Sequence, residues 1–360
     1  MKPSLESNLR RIAELLVAHV GSARADKIIV LMNPVAGGLA QAVRRRAHIA
    51  ALEAAATRGP AASLPFEIYI TKKAGDTEII AAELMAQDHG RDRVLVLLCG
   101  GDGTYSQFLD VCLRAGPEVL KQFSFIRLPL GSGNDGADAR DLVHATEIIS
   151  KTGLVVPSRG VRVSAHGLPQ RYAFNITSIG IDAYVTYLTN KLRKRLPGDT
   201  YKVVADLSTL FYDHIYGVGD MNVRVERVGK NPNEQLSGKF MLLAVGVSGY
   251  RCYGDHKWVL PDEHNVCAIR LDNMTLSRRL DVKKRLYVGT HVHDKNTEML
   301  GVRKVTIEYE RRIPLQLDGE GIWLGPENFP LSFELTEPIV SVLVDPADSG
   351  RYLQRYSYLS

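Results

Sequence analysis

A chain of 360 residues, 45% apolar and 24% charged, has the composition of a folded globular protein and the length of two domains rather than one. A disordered chain, a collagen-like repeat and a disulfide scaffold are excluded. Lys and Arg number 45 and Asp and Glu 40, a formal charge of +5, which suits contact with phosphates or an anionic surface.

The longest apolar runs, Val94–Cys99 and Phe240–Val245, are six residues long. A spanning helix needs about 20, so none is expected. Arg10, Arg11 and Glu14 interrupt the apolar core that a secretory signal would need. Cys99, Cys112, Cys252 and Cys267 lack C-x-x-C spacing, and reduced thiols in a cytoplasmic protein are the expectation.

Residues 1–26 form an expected N-terminal segment. Leu5, Leu9, Ile12, Leu15, Leu16 and His19 recur at helical spacing, the pattern of an amphipathic helix that either packs on the protein or lies on a membrane surface. From Lys27 short apolar runs alternate with helical stretches. Strands are predicted at Ile28–Met32, Phe66–Thr71, Val94–Cys99 and Phe123–Leu128, and helices at Leu39–Ala56, Thr77–Gln87, Tyr105–Leu113 and Asp138–Ile149. Such alternation implies parallel strands joined by crossovers. The expected fold class is therefore α/β, with a layered domain at 27–155 followed by a β-rich, sandwich-like domain at 156–337. The chain end, 338–360, is a candidate to return to the first domain.

In the second domain a hairpin is predicted around His166-Gly167, between Arg162–Ser164 and Tyr172–Thr177. Further strands are expected at Val223–Val228, Gly238–Val247, Cys267–Leu271, Lys304–Tyr309, Pro314–Asp318 and Leu331–Leu335. Helices are expected at Val185–Arg195 and Tyr201–Tyr212.

Three loops of the first domain run strand, glycine-rich turn, helix: Asn33-Pro34-Val35-Ala36-Gly37-Gly38, Gly100-Gly101-Asp102-Gly103-Thr104, and Pro129-Leu130-Gly131-Ser132-Gly133-Asn134-Asp135. Loops at the carboxyl ends of parallel strands form the ligand crevice of such sheets. Glycines there let backbone N–H groups approach a phosphate, and each following helix N-terminus favours negative charge. Asp102, between glycines, suits a carboxylate held beside a magnesium–phosphate centre. Neither a Walker A loop nor a Gly-x-Gly-x-x-Gly fingerprint is present.

Residues 313–320 alternate. Read as one strand, they place Ile313, Leu315 and Leu317 on one face and Gln316, Asp318 and Glu320 on the other. Two carboxylates on one face can bind magnesium or share acid–base work.

Val94–Thr104 followed by Pro129–Asp135 resembles the diacylglycerol kinase catalytic domain of the lipid kinase superfamily, which includes bacterial diacylglycerol and phosphatidylglycerol kinases, sphingosine kinases and ceramide kinases. Asn33–Gly38, Ile70–Asp76, Gly180-Ile181-Asp182-Ala183 and Leu317-Asp318-Gly319-Glu320 are similar to further family motifs in the same order. The resemblance implies that ATP is held by Asn33, Pro34, Gly37, Gly38, Thr71, Gly100, Gly101, Asp102, Gly103, Thr104 and Ser106. From the third loop it adds Ser132, with Gly131, Gly133, Asn134 and Asp135 beside it. It implies Glu320 as the proton acceptor and Asp318 as its partner or a Mg2+ ligand, with the two roles open to reversal. Asp182 would touch substrate or order its turn.

Two departures stand out. Ser106-Gln107 occupies the place where the family carries Asn-Glu, and Pro261-Asp262-Glu263-His264-Asn265 lacks the Asp-Gly of a structural magnesium loop. A structural metal there is not expected, Asp262 being the nearest candidate.

Basic runs at Lys191, Arg193, Lys194 and Arg195, and at Arg278, Arg279, Lys283, Lys284 and Arg285, are either solvated helix faces or contacts for anionic lipid headgroups. His291 and His293 would share a strand face without a third ligand. The function expected is an ATP-dependent, magnesium-requiring lipid kinase acting on a diacylglycerol-like or sphingoid alcohol. It would be cytoplasmic and peripheral at the membrane, and a homodimer is left open. NAD kinase, which shares the Gly-Gly-Asp-Gly-Thr loop, is the alternative enzyme, and Ser106-Gln107 keeps a non-catalytic nucleotide-binding protein open. Basic residues are not interleaved with aromatics, so no nucleic-acid partner is expected.

Overall fold

A computed structural model describes residues 4–21, 23–56, 64–193, 217–227, 233–254, 257–272 and 274–347. The helix expected at 201–212, the basic residues Lys194 and Arg195, the end of the strand expected at Val223–Val228 and the chain end from 348 lie outside the described residues. The chain divides into two compact units, one running up to Arg159 and resuming at Pro338, the other being Gly160–Glu337.

In the first unit, strands β1 (Lys27–Met32), β2 (Phe66–Ile70), β3 (Val94–Gly100), β4 (Phe123–Pro129), β5 (Leu154–Ser158) and β20 (Val340–Val344) form one sheet in the order β2-β1-β3-β4-β20-β5. The first five of that order run parallel, and β5 closes the sheet antiparallel to β20. Every residue of β3 is buried, as a central parallel strand covered on both faces requires.

The helices are α1 (Leu5–Val17), α2 (Gly37–Ala40), α3 (Ala42–Ala56), α4 (Asp76–Ala86), α5 (Asp102–Ala115), α6 (Pro117–Leu120) and α7 (Leu142–Glu147). Ile28, Val30, Met32, Leu95, Leu97 and Cys99 join α1, α3 and α7 in one apolar cluster. The alternate residues Ile29, Leu31, Val96 and Leu98 are equally buried, and the paired helices α4 and α5 lie against the sheet through β3. Leu9, Ile12 and Leu16 are spent on the core, so the apolar stripe of α1 is a packed face and not a membrane-surface one. Asp141 caps α7 by accepting from the His144 amide, which shortens the helix expected at Asp138–Ile149.

The second unit holds two antiparallel six-stranded sheets. One has the order β10-β9-β16-β19-β6-β7, built from β6 (Val161–Ala165), β7 (Arg171–Ala173), β9 (Met221–Arg227), β10 (Asn233–Gly238), β16 (Val302–Glu308) and β19 (Leu331–Leu335). The other, β15-β14-β11-β8-β17-β18, comprises β8 (Ile176–Gly180), β11 (Phe240–Gly246), β14 (Val266–Arg270), β15 (Thr297–Leu300), β17 (Ile313–Leu317) and β18 (Glu320–Leu324). A two-stranded ribbon joins β12 (Arg251–Tyr253) to β13 (Lys257–Leu260).

Residues of both six-stranded sheets share one core. Burial alternates along β9 and β19, so their sheet has one wet face. Along β8, β11 and β17 it is continuous, because α8 (Ile181–Arg193) packs on β8, β17 and β18 and gives that sheet a second cover. Helix α9 (Leu276–Val288) packs on β13. Among the described residues no helix is long and apolar enough to cross a membrane.

Three expectations are corrected. Tyr172–Thr177 is not one strand: β7 belongs to the first sheet and β8 to the second, and Phe174-Asn175 carries the chain between them. His291 and His293 lie on a 3-10 turn, Thr290–His293, not on a strand. Residues 313–320 are a hairpin: β17 and β18 pair Leu317 with Glu320, and Asp318 and Gly319 between them have φ of 45° and 94°. Two successive residues of positive φ are the signature of the tight turn whose twist matches antiparallel strands.

Candidate active site

Because β1, β3 and β4 are neighbours, the loops that leave their carboxyl ends are neighbours too. Asn33 links them. Its amide nitrogen donates to Thr104 Oγ1 at 2.9 Å, while its Oδ1 accepts from the Val35 amide at 3.2 Å and from Thr71 Oγ1 at 3.4 Å. The Gly38 amide donates to the Leu130 carbonyl at 2.8 Å, joining the first loop to the third.

The glycines are where side chains would collide. A Cβ on Gly37 would stand 2.3 Å from Ser132 Oγ, and one on Gly131 would stand 2.6 Å from the Cα of Gly101. Asn134 adopts φ of 60° and accepts from the Gly131 amide at 2.6 Å, which folds the third loop back on itself. The result is a cradle of backbone stripped of side chains at the start of α5, where helix amides favour an anion.

Asp102 opens α5 and accepts from the Gly136 amide at 2.8 Å. Its Oδ2 and that of Asp135 lie 3.3 and 3.4 Å from the Cβ position of Gly133, so the two carboxylates border one glycine. Magnesium is held through one or two carboxylates plus phosphate oxygens and waters, and this pair beside a phosphate cradle fits that donor set. Among the described residues there is no group of three or more His, Cys, Asp or Glu able to hold a metal alone. Thr71, Thr104 and Ser106 are buried while Ser132 is exposed, and Gly100, Gly103 and Pro34 serve as backbone beside them.

Two supports escaped the sequence reading. Arg127 Nη2 meets Asp138 Oδ1 at 2.6 Å with both side chains buried. The Arg127 amide donates to Asp138 Oδ2 and the Asp138 amide to the Arg127 carbonyl, so this pair clamps the two ends of the third loop. The signal was available: an arginine inside the apolar run Phe123–Leu128 needs a partner. Tyr105 donates to the carbonyls of Gly100 and Leu128, and burial, with the charge of Asp102, pushes its phenol up.

In the second unit, Glu320 begins β18, half-buried, with Arg171 Nη2 2.8 Å from its Oε2. Arg171 is a third residue the sequence did not single out. Asp318 is 3% exposed, and its carboxylate accepts from the amides of Phe174 at 2.6 Å, Asn175 at 2.9 Å and Ile176 at 3.0 Å. It pins the hairpin turn to the crossing between the two sheets. These three bonds give Asp318 a structural role in holding the turn.

Beneath the turn runs a buried polar chain. Gln316 Oε1 accepts from the Gly319 amide at 3.1 Å, Gln316 Nε2 donates to Ser178 Oγ at 3.0 Å, and Ser178 Oγ donates to Asp182 Oδ2 at 2.8 Å. Asp182 thus orders the base of this turn.

Residues 27–157 match the family model of the diacylglycerol kinase catalytic domain, which bears out the resemblance read from the sequence. The fold is shared with a candidate diacylglycerol kinase from Bacillus anthracis str. Sterne, 19% identical with a TM-score of 0.60 over 91% of this chain and 98% of that one. A second structure, described as a diacylglycerol kinase of the same organism, is 16% identical with a TM-score of 0.55 over 90% and 98%. No curated protein matches the chain. The match to the kinase family model is thus confined to residues 27–157, and the chain as a whole shares the mixed α/β fold of these structures.

Proposed function

We propose that the protein is a lipid kinase that transfers the γ-phosphoryl group of ATP to the hydroxyl of a diacylglycerol-like or sphingoid lipid. The observation that carries this reading is the meeting of three glycine loops, the second tied to the first by Asn33 and the third by the Gly38 amide, with Asp102 and Asp135 bordering Gly133. Phosphoryl transfer asks a protein mainly for positioning and charge neutralisation. Backbone amides at Gly37 and Gly101 would receive the phosphates; Asp102, with Asp135, would hold the cation. Bound Mg2+ supplies neutralisation of phosphate charge.

Glu320 accepts the proton of the lipid hydroxyl as that oxygen bonds to the γ-phosphorus and the bond to the β-phosphate oxygen breaks, releasing ADP. Arg171 holds the Glu320 carboxylate at 2.8 Å and keeps it oriented. General-base assistance is worth about 10²- to 10⁴-fold, so Glu320→Ala loses turnover by that factor and keeps its affinity for ATP. The decisive experiment offers γ-labelled ATP and a total lipid extract to the purified protein and identifies the labelled product. Label appearing in NAD and in no lipid would overturn the proposal, as would no transfer at all.

A further inference from the structure

Helix α9 buries Val282 and Leu286 and turns its other side outward. At about 100° per residue, Leu276, Leu280 and Tyr287 fall on one outward stripe, with Lys283 along one border and Lys284 along the other. Val288 lies beyond Lys284 and is 69% exposed; Tyr287 is 41% exposed. Trp258, on the strand α9 packs against, is 38% exposed. It adjoins the end of the helix, since a Cβ on Gly289 would be 3.4 Å from the Trp258 Cβ. Lys257 Nζ stands 5.0 Å from the centroid of the Tyr287 ring.

The charge of this element is one-sided. Five of the helix residues are basic and only Asp281 is acidic. Arg278 pairs with Asp294 at 2.7 Å and Arg285 with Asp281 at 2.9 Å; by helical spacing, Lys283 and Lys284 edge the apolar stripe.

We infer that this face of α9, with Trp258 and Lys257, is where the protein docks on an anionic bilayer. An outward stripe of leucine and tyrosine bordered by lysines is the make-up of an interfacial helix, whose apolar side sinks to the acyl boundary while its cations meet headgroups. Tryptophan and tyrosine favour that same depth. The inference rests on the lipid-kinase reading for its purpose, which is to bring the second unit to a substrate that does not leave the membrane, but its test does not use turnover.

The test is flotation of the full chain with vesicles of phosphatidylcholine alone and of phosphatidylcholine mixed with phosphatidylglycerol. Binding to the mixed vesicles, weakened by salt, is expected. Each lysine near such a surface is worth about fivefold in partitioning, so K283A/K284A lowers it by about 25-fold, and L280S/Y287S abolishes insertion with charge intact. Leu280, Lys284 and Tyr287 are exposed and Lys283 is half-buried, and circular dichroism verifies that both variants fold. Wild-type binding by both variants, or no binding by the wild type, overturns the inference. So does a dimer that L280S/Y287S converts to monomer without vesicle binding, which would make the face a contact between copies. Binding through α9 with no phosphate transfer to any lipid leaves the docking surface standing and removes the kinase reading.

Discussion

Replacing Asp318 separates a structural carboxylate from a catalytic one. Three backbone amides, those of Phe174, Asn175 and Ile176, donate to it at 2.6–3.0 Å in a buried setting. A buried donor left without a partner costs about 1–3 kcal/mol. Asp318→Ala strands all three and keeps the left-handed φ of 45° on a residue that resists it, for a loss of about 3–6 kcal/mol after relaxation, a large share of the 5–15 kcal/mol typical of a folded protein. Asp318→Asn tolerates the φ and offers one oxygen for two of the three amides, and is expected to lose about 2–4 kcal/mol.

Both tryptophans of the chain, Trp258 and Trp323, belong to the second unit, so their fluorescence follows the unit that Asp318 holds together. In urea the loss in Asp318→Asn lowers the midpoint by roughly 1–2 M, while magnesium-dependent ATP binding by the folded variant stays at the wild-type level. A wild-type midpoint together with lost nucleotide binding would refute the structural role and return Asp318 to the metal.

Gly131→Ala drives a methyl to within 2.6 Å of the Gly101 Cα and forces the second and third loops apart; ATP affinity by calorimetry falls by about 10- to 100-fold. Arg127→Met leaves Asp138 as an uncompensated buried charge and costs about 3–5 kcal/mol in chemical denaturation followed by circular dichroism. Asp345 has its carboxyl held below the ordinary 3.8 by the hydrogen bond with His144 and by the Ala347 amide. A depressed carboxyl stabilises above its unfolded value and loses that contribution as pH falls through the folded one. Asp345→Asn therefore flattens the acid limb of stability below about pH 4, read by thermal melts across that range.

The first unit was legible because its signals are local. Ile28–Met32 and Val94–Cys99 are apolar runs that only a doubly covered strand uses, and each ends in a glycine loop whose chemistry is in the residues themselves. The second unit hides its logic in pairings distant along the chain. The Asp318 carboxylate serves amides about 140 residues earlier, which no local pattern reports. Yet Asp318-Gly319 is the commonest kind of two-residue hairpin turn, and reading it so would have split residues 313–320 in two. Arg171 was invisible because its partner, Glu320, is 149 positions away. The strand expected at Tyr172–Thr177 carries a polar residue, Asn175, at the point where the chain passes from one sheet to the other, held there by Asp318.

One strand of the first sheet arrives late. β20 fills the place between β4 and β5, although some 180 residues of the other unit are threaded between β5 and β20. During synthesis the nucleotide side must therefore wait, with the flank of β4 bare, until position 344 leaves the ribosome. A fragment cut to residues 27–157 would keep that flank permanently, a ready template for strand addition from another molecule. Supplying residues 338–347 in trans as a peptide is the natural way to close it.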